Sequence, residues 1–315
     1  MSEHRILMIE HQANLSIDLG RLCIRQPQQE NVFVLPSDIA VICLHHPAIT
    51  LTAQALQSLG KEGAIIVVTD SFHQPLAQLY PLLAPMRQTL RLHQQFKLYE
   101  SPWRSTIWQC LVQGRLRSEA AVLRSLGKTG ALFLERLAEK VQPGDTGQCE
   151  SQGARHYWSH LLPKGFKRGK QGATDTINVR LNFGYSILRS LITRSLACSG
   201  LNGCLGVGHS NQQNPFNLAD DLIEPYRFLV EWRVAQQFDG LGERPFEAAD
   251  RKNLAKFVCE AVPMPQGDFR LPAAIDSTVN SWVQLLDAVN VNRHPVAINL
   301  PEYKRWPLMD GGSCG

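Results

Sequence analysis

Three residues lying far apart in the 315-residue chain combine the types that hold a divalent cation: Glu150, His209 and Glu224. Glu150 opens a segment in which Gly153, Ala154 and Tyr157 follow at i+3, i+4 and i+7. One helix face there carries a carboxylate beside two small residues and an aromatic. Gly206-Val207-Gly208-His209 turns sharply to display an imidazole, and a polar stretch runs from there to Pro215. Asn217 is placed to cap the next helix, in which Asp220 and Asp221 precede Glu224 by four and three residues. Carboxylates so crowded are commonly neutralised by arginine or a cation, and Arg227 follows Glu224 at i+3. Two carboxylates and an imidazole suit Mg2+ or Mn2+, hard ions that keep waters for a substrate phosphate to replace. Phosphodiester chemistry is the natural use of such an ion. By spacing alone each member has an ordinary alternative: a solvated helical glutamate, a hydrogen-bonded loop histidine, a salt-bridged acidic face.

Competing motifs are incomplete. His156 and His160 stand at i and i+4, a ligand spacing, but lack the glutamate of His-Glu-x-x-His and read as structural or solvated. Gly208-His209-Ser210 resembles a serine nucleophile elbow without its closing glycine. Gly200, Gly203, Gly206 and Gly208 follow no βαβ pattern, and no phosphate-binding Gly-x-x-x-x-Gly-Lys-Ser/Thr loop is present.

The elements that must position these residues change character along the chain. Over the first seventy residues the signal is β. Leu15, Ile17 and Leu19 alternate with polar neighbours before Gly20, Val32 and Val34 precede Pro36, and 39–44 and 64–68 are fuller apolar runs expected to be buried on both faces. Residues 53–59 predict a short helix ended by Gly60. From about Met86 the apolar spacing becomes three and four, as in Val122, Leu123, Leu126 and Leu132, Leu134, Leu137, Val141. Ser101-Pro102 predicts a helix start, the hydroxyl capping and proline occupying the first helical position. Leu218, Leu222 and Leu229 form the stripe that fixes the acidic helix to a core. The expectation is an α+β chain: a β-rich, sandwich-like domain over 1–85 and a larger all-α catalytic domain over 86–315. Residues 162–174 read as a mobile basic loop, with Lys164, Lys167, Arg168 and Lys170 among glycines.

Bulk composition narrows the class. At 44% hydrophobic and 19% charged the chain can bury two ordinary cores. No apolar run approaches the ~18 residues of a membrane span, and 6–9 are too few for a secretory leader, so a cytoplasmic location is expected. Eight scattered cysteines without a Cys-x-x-Cys pair read as reduced, mostly buried thiols. A net charge of +4 is compatible with a polyanionic partner and decides nothing alone.

Several motifs in order resemble one family, the integrase of CRISPR spacer acquisition (the Cas one family), in its type II form. They are the run 211–227 (NQQNPFNLADDLIEPYR), Asp175-x-Ile177-Asn178 followed by Leu181-Asn182-Phe183-Gly184-Tyr185, and Gly200-Leu201-Asn202 ahead of His209. The resemblance spans nearly the whole chain. It implies a prokaryotic metal-dependent DNA endonuclease and integrase, with Glu150, His209 and Glu224 as catalytic metal ligands and Asp221 as an auxiliary acid. Glu224 stands where many members have aspartate, and Gly153 replaces a common alanine. The implied reaction is attack by the 3′-hydroxyl of a short duplex on a phosphodiester at the edge of a CRISPR repeat. Implied partners are double-stranded DNA, a second copy of the chain, a small ferredoxin-like subunit and, as a further candidate, the RNA-guided effector. The basic residues 164, 167, 168 and 170 become candidate phosphate contacts. The alternative from another class is a non-catalytic DNA-binding scaffold of a defence complex.

Overall fold

The computed structural model describes residues 5–69, 75–79, 81, 88–169, 175–238, 245–291 and 293–307. The expected boundary at 85/86 falls outside them.

Eight strands in two sheets and one helix make up the first part. They are β1 (Arg5–Ile9), β2 (Ala13–Asp18), β3 (Arg21–Arg25), β4 (Val32–Val34), β5 (Ile39–Leu44), β6 (Ile49–Leu51), α1 (Ala53–Lys61), β7 (Ile65–Thr69) and β8 (Pro75–Leu79). One sheet has the order β1-β5-β7-β8, parallel except at β8, and the other β4-β3-β2-β6. Every residue of β5 is buried, as its unbroken apolar run predicts. Ile39, Ile42 and Leu44 point into a small core with Leu15, Leu22 and Leu59; Ala40, Val41 and Cys43 point into the large core of the helices. The β5 sheet is therefore a shared wall. Val68 of β7 departs from that expectation and is 39% exposed.

Two local expectations here are corrected. Leu19 continues the alternation of β2 but lies in the two-residue turn to β3, where it and Gly20 both take positive φ (47° and 77°). That turn matches the twist of the hairpin and leaves Leu19 89% exposed. Helix α1, capped by Thr52 Oγ1 on the Ala55 amide (3.2 Å), runs through Gly60 and reverses at Gly63, whose φ is +77°.

Helices dominate the rest: α2 (Gln88–Glu100), α3 (Trp103–Ser125), α4 (Ala131–Lys140), α5 (Cys149–Leu161), α6 (Thr176–Cys198), α7 (Asn217–Ile223), α8 (Arg227–Phe238), α9 (Ala248–Ala255) and α10 (Leu271–Asn290). A short hairpin of β9 (Ala261–Met264) and β10 (Gly267–Arg270) interrupts them, which the helical reading omits because each strand is only four residues long. Helix α3 is the axis of the large core, with α4, α5 and α8 packed around it, while α6 joins α7, α8 and α10 to the β5 sheet. Leu134 and Leu137 are buried as the spacing predicts, but Leu132 is on the outer face of α4. Ser101 does not cap α3: its hydroxyl donates to the Leu98 carbonyl (2.8 Å) and closes α2 instead. Of the described cysteines only Cys23, Cys43 and Cys149 are buried, so most are not; Cys314 lies outside the described residues. No helix among the described residues is long and apolar enough to cross a membrane.

Candidate active site

Asp221 is fully buried on α7 and organises the loop that carries His209. Its two oxygens accept the backbone amides of Val207 (2.5 Å), Gly208 (3.2 Å) and His209 (2.8 Å). The same carboxylate accepts Nδ1–H of His209 at 2.8 Å. The loop curls so tightly around this anion that a Cβ on Gly206 would stand 2.5 Å from the His209 carbonyl oxygen and 2.7 Å from Asp221 Oδ2. Its floor is α3, where Arg104 Nε donates to the Val207 carbonyl (2.9 Å) and the Trp108 indole packs against Gly208 and edge-on to His209 (5.7 Å). Asn217, expected as a cap, is instead the first residue of α7, with Phe216 at the cap position. Its buried side-chain amide donates to the carbonyls of Cys204 and Asn211 (3.1 and 2.9 Å), tying the far end of the loop.

With Nδ1 engaged, His209 presents Nε2 without a protein partner among the described residues, the arrangement by which proteins fix a ligating imidazole. The hydrogen bond to Asp221 raises its pKa above 6.5 against the opposing effect of burial.

The two glutamates meet on one guanidinium. Pro225 ends α7, and Glu224 sits in the 3₁₀ turn that leads into α8. Glu150 lies in the first turn of α5, whose opening amides at Cys149 and Glu150 are accepted by Asp145 (2.8 and 3.0 Å). Gly153, one turn on, lets α5 lie against Leu116 of α3. Arg115 of α3 then reaches both acids with a single Nη1, pairing with Glu150 and with Glu224 Oε2 (2.9 Å), while its Nε donates to Glu119 (3.1 Å). On the other side Arg227 pairs with Glu224 (3.1 Å) and Glu231 (3.3 Å), and Tyr185 donates to Glu231 (2.6 Å).

Glu119, Glu150, Glu224 and Glu231 thus face two guanidiniums. Burial pushes Glu119 up to about 7, against the opposing pull of Arg115. Burial also works to raise Glu224, but Arg115, Arg227 and His209 outweigh it and hold the carboxyl below its ordinary value.

Of the three expected carboxylates on the acidic helix, only Glu224 joins this cluster. Asp221 turns to the loop, and Asp220 pairs outward with Arg189 (2.7 Å) and the Asn214 amide (2.7 Å). Among the described residues no three His, Cys, Asp or Glu side chains close on one point as metal ligands do. Glu150 and Glu224 are together, with Arg115 between them, and His209 is near enough for its charge to act on Glu224. His156 and His160 hold no such site: their rings stack at 4.0 Å, and they bond to the carbonyls of Gly130 and His156. In the basic segment Lys164 and Lys167 are exposed, but Arg168 is not free as a loop residue would be. It donates to Asn178 and Asn182 of α6 (2.8 and 2.6 Å), anchoring the segment. Lys170 lies outside the described residues.

Residues 6–240 match the model of the family described as CRISPR associated protein Cas1. The chain belongs to the Cas1 family. It is 31% identical over 300 residues to the CRISPR-associated endonuclease Cas1 of Neisseria meningitidis serogroup C (strain 8013), covering 95% of this chain and 96% of that one. Its fold also matches two solved structures. A casposase bound to integration product superposes with a TM-score of 0.76 at 20% identity, covering 94% of this chain and 92% of that one. A Cas6-RT-Cas1–Cas2 complex gives 0.72 at 18% identity, covering 93% of this chain and 36% of that one. The Cas1 resemblance read from the run 211–227 is therefore correct, and so is the α+β class with strands first and helices after.

Glu231 and, on α3, Arg104, Trp108, Arg115 and Glu119 are among the members of this site that the sequence reading omits. The signal available was weak: the four on α3 recur at i, i+4, i+11 and i+15, one face of a helix that carries many other polar residues.

Proposed function

We propose that this Cas1 family member is a Mg2+- or Mn2+-dependent DNA endonuclease and integrase that inserts spacers into a CRISPR array. The observation that carries the reading is the Asp221-held His209 beside Glu150 and the buried Glu224, two carboxylates that meet on Arg115. By donor type these residues suit a hard divalent ion, which Glu150, Glu224 and His209 Nε2 would hold once Arg115 no longer stands between the two carboxylates. Such an ion, when bound, neutralises charge at phosphorus and acidifies the attacking 3′-hydroxyl. In the neutral ring Asp221 holds the proton on Nδ1, which leaves Nε2 of His209 as the aimed lone-pair nitrogen, and Arg227 restrains Glu224. The attacking 3′-oxygen forms a bond to the repeat-edge phosphorus as the bond to the leaving 3′-oxygen breaks; the hydroxyl proton passes to solvent, and the leaving oxygen takes up a proton from solvent to end as a 3′-hydroxyl. A relative named as an endonuclease and a fold neighbour caught on an integration product support this chemistry. A neighbour from a Cas6-RT-Cas1–Cas2 complex supports a Cas2-type second subunit, and the casposase bound to integration product supports a DNA partner; a second copy of this chain completes the proposed assembly. Lys164 and Lys167 are the exposed candidates for phosphate contact.

The test is strand transfer from a 3′-hydroxyl duplex into a plasmid bearing a repeat array, with and without the small subunit, in Mn2+, Mg2+ or chelator. Product should form with metal, vanish with chelator and fall at least ~100-fold in Glu150→Ala, His209→Ala and Glu224→Ala. Metal-independent DNA binding with no strand transfer in either ion would favour the scaffold.

Affinity for Mn2+ should depend on pH through His209. Its raised pKa means Nε2 stays protonated to a higher pH than a free imidazole, so binding should strengthen as pH rises and level off only above 6.5. In the metal-free protein the His209–Asp221 pair stabilises fully below 6.5 and loses that contribution as pH passes the shifted value. Calorimetric titration of Mn2+ across pH 5.5–8.5 would check both the sign and the midpoint, taking that window from the ordinary histidine range of ~5–8.

A further inference from the structure

We propose that Arg115 is the resident counter-cation of the carboxylate pocket, and that a divalent ion enters by taking Glu150 from it. The inference rests on the metal-dependent reading above and adds a positioning residue to it. Arg115 is 5% exposed and reaches the pocket from the middle of α3, so its charge cannot be met by water. Its three carboxylate partners are unequal. The Glu119 and Glu224 side chains are 2% and 6% exposed, and Glu224 is gripped from behind by Arg227. Glu150 alone of the three faces solvent, with its side chain 31% exposed, and among the described residues no second side chain holds it in place. It is therefore the partner that can leave.

The geometry also explains why the chain tolerates buried carboxylates before metal arrives. Without Arg115, Glu119 and Glu224 would be like charges in a nearly water-free site, where repulsion is several times stronger than at the surface. One Nη1 atom shared by Glu150 and Glu224 holds these two ligand candidates together and prevents them from springing apart. An incoming divalent ion offers Glu150 twice the charge, while the Nε bond to Glu119 keeps the guanidinium in place behind the pocket. Arg115 and the metal thus compete for one carboxylate, and the arginine holds metal affinity down in exchange for a folded, ready pocket.

Removing the charge should therefore tighten metal binding, the opposite of what loss of a merely structural arginine does. Mn2+ titrated by calorimetry into Arg115→Gln should bind ~10-fold or more tightly than into the wild type. The metal-free variant should melt lower and recover more on Mn2+ addition, and Arg115→Lys should fall between the two. Unchanged or weaker Mn2+ binding by a folded Arg115→Gln would overturn the proposal. Should that variant not fold, a crystal structure of the wild type with Mn2+ decides. Glu150 released from Nη1 with the Nε–Glu119 bond intact supports the exchange, and a retained Glu150–Arg115 pair beside bound Mn2+ overturns it. Wild-type protein that takes up no Mn2+ at millimolar concentration would sink the metal-dependent reading itself, and this inference with it.

Discussion

Asp221→Ala should cost about 4 kcal/mol of stability and at least ~10-fold in Mn2+ affinity, although Asp221 is not among the residues proposed to touch the metal. Three backbone amides and one imidazole N–H converge on its fully buried carboxylate. Truncation leaves these donors unsatisfied, and each buried orphan carries a cost of about 1–3 kcal/mol, with less than full additivity because the loop can relax together. Relaxation is what damages the site, since the loop then no longer fixes the ring of His209. Asp221→Asn should be milder in stability, because one oxygen still accepts, but it should lower the midpoint of the pH dependence by removing the charge that raises His209. Urea unfolding and Mn2+ calorimetry on the two variants check this. If Asp221→Ala kept wild-type stability and affinity, the loop would not depend on this anion.

Gly206→Ala should be nearly as severe, at about 3 kcal/mol, whereas Gly153→Ala should cost less than about 1 kcal/mol. Both glycines sit beside candidate ligands, and a Cβ at either would clash. At Gly206 the obstacles are the His209 carbonyl oxygen, Asp221 Oδ2 and the backbone carbon of Asn217 at 3.0 Å, all held by the same hydrogen bonds that shape the loop. At Gly153 the obstacle is the end of the Leu116 side chain, which can change rotamer. Thermal melts of the two variants, compared in one buffer, separate the cases. Similar losses at both positions would mean that α5 and α3 are packed too rigidly for Leu116 to yield.

Much of this was legible in residue order. The period change from two to three and four separates strands from helices because side chains alternate across a strand and return to the same face about once per turn, ~3.6 residues, along a helix. The unbroken apolar run of β5 announced burial on both faces, and Arg227 at i+3 from Glu224 announced the ion pair found at 3.1 Å. The run 211–227 and the motifs before it pointed to the family, and that resemblance is what implies Glu150, His209 and Glu224 as the proposed ligands. Spacing could not decide which way neighbouring acids face. Asp220, Asp221 and Glu224 share one stretch of helix, yet they turn to Arg189, to the His209 loop and to Arg115.

Those assignments are tertiary because each depends on a partner 12 to 109 positions away, whose location follows from how α3, α5 and α7 pack. Arg115 shows this most clearly. In the chain it is one arginine on a long helix, and its local partner is Glu119 at i+4. Only when α5 and the turn after α7 close on α3 does the same guanidinium meet Glu150 and Glu224. Local sequence sets propensity and short-range pairing, whereas the exclusion of water from a packed core determines which distant charges must answer one another.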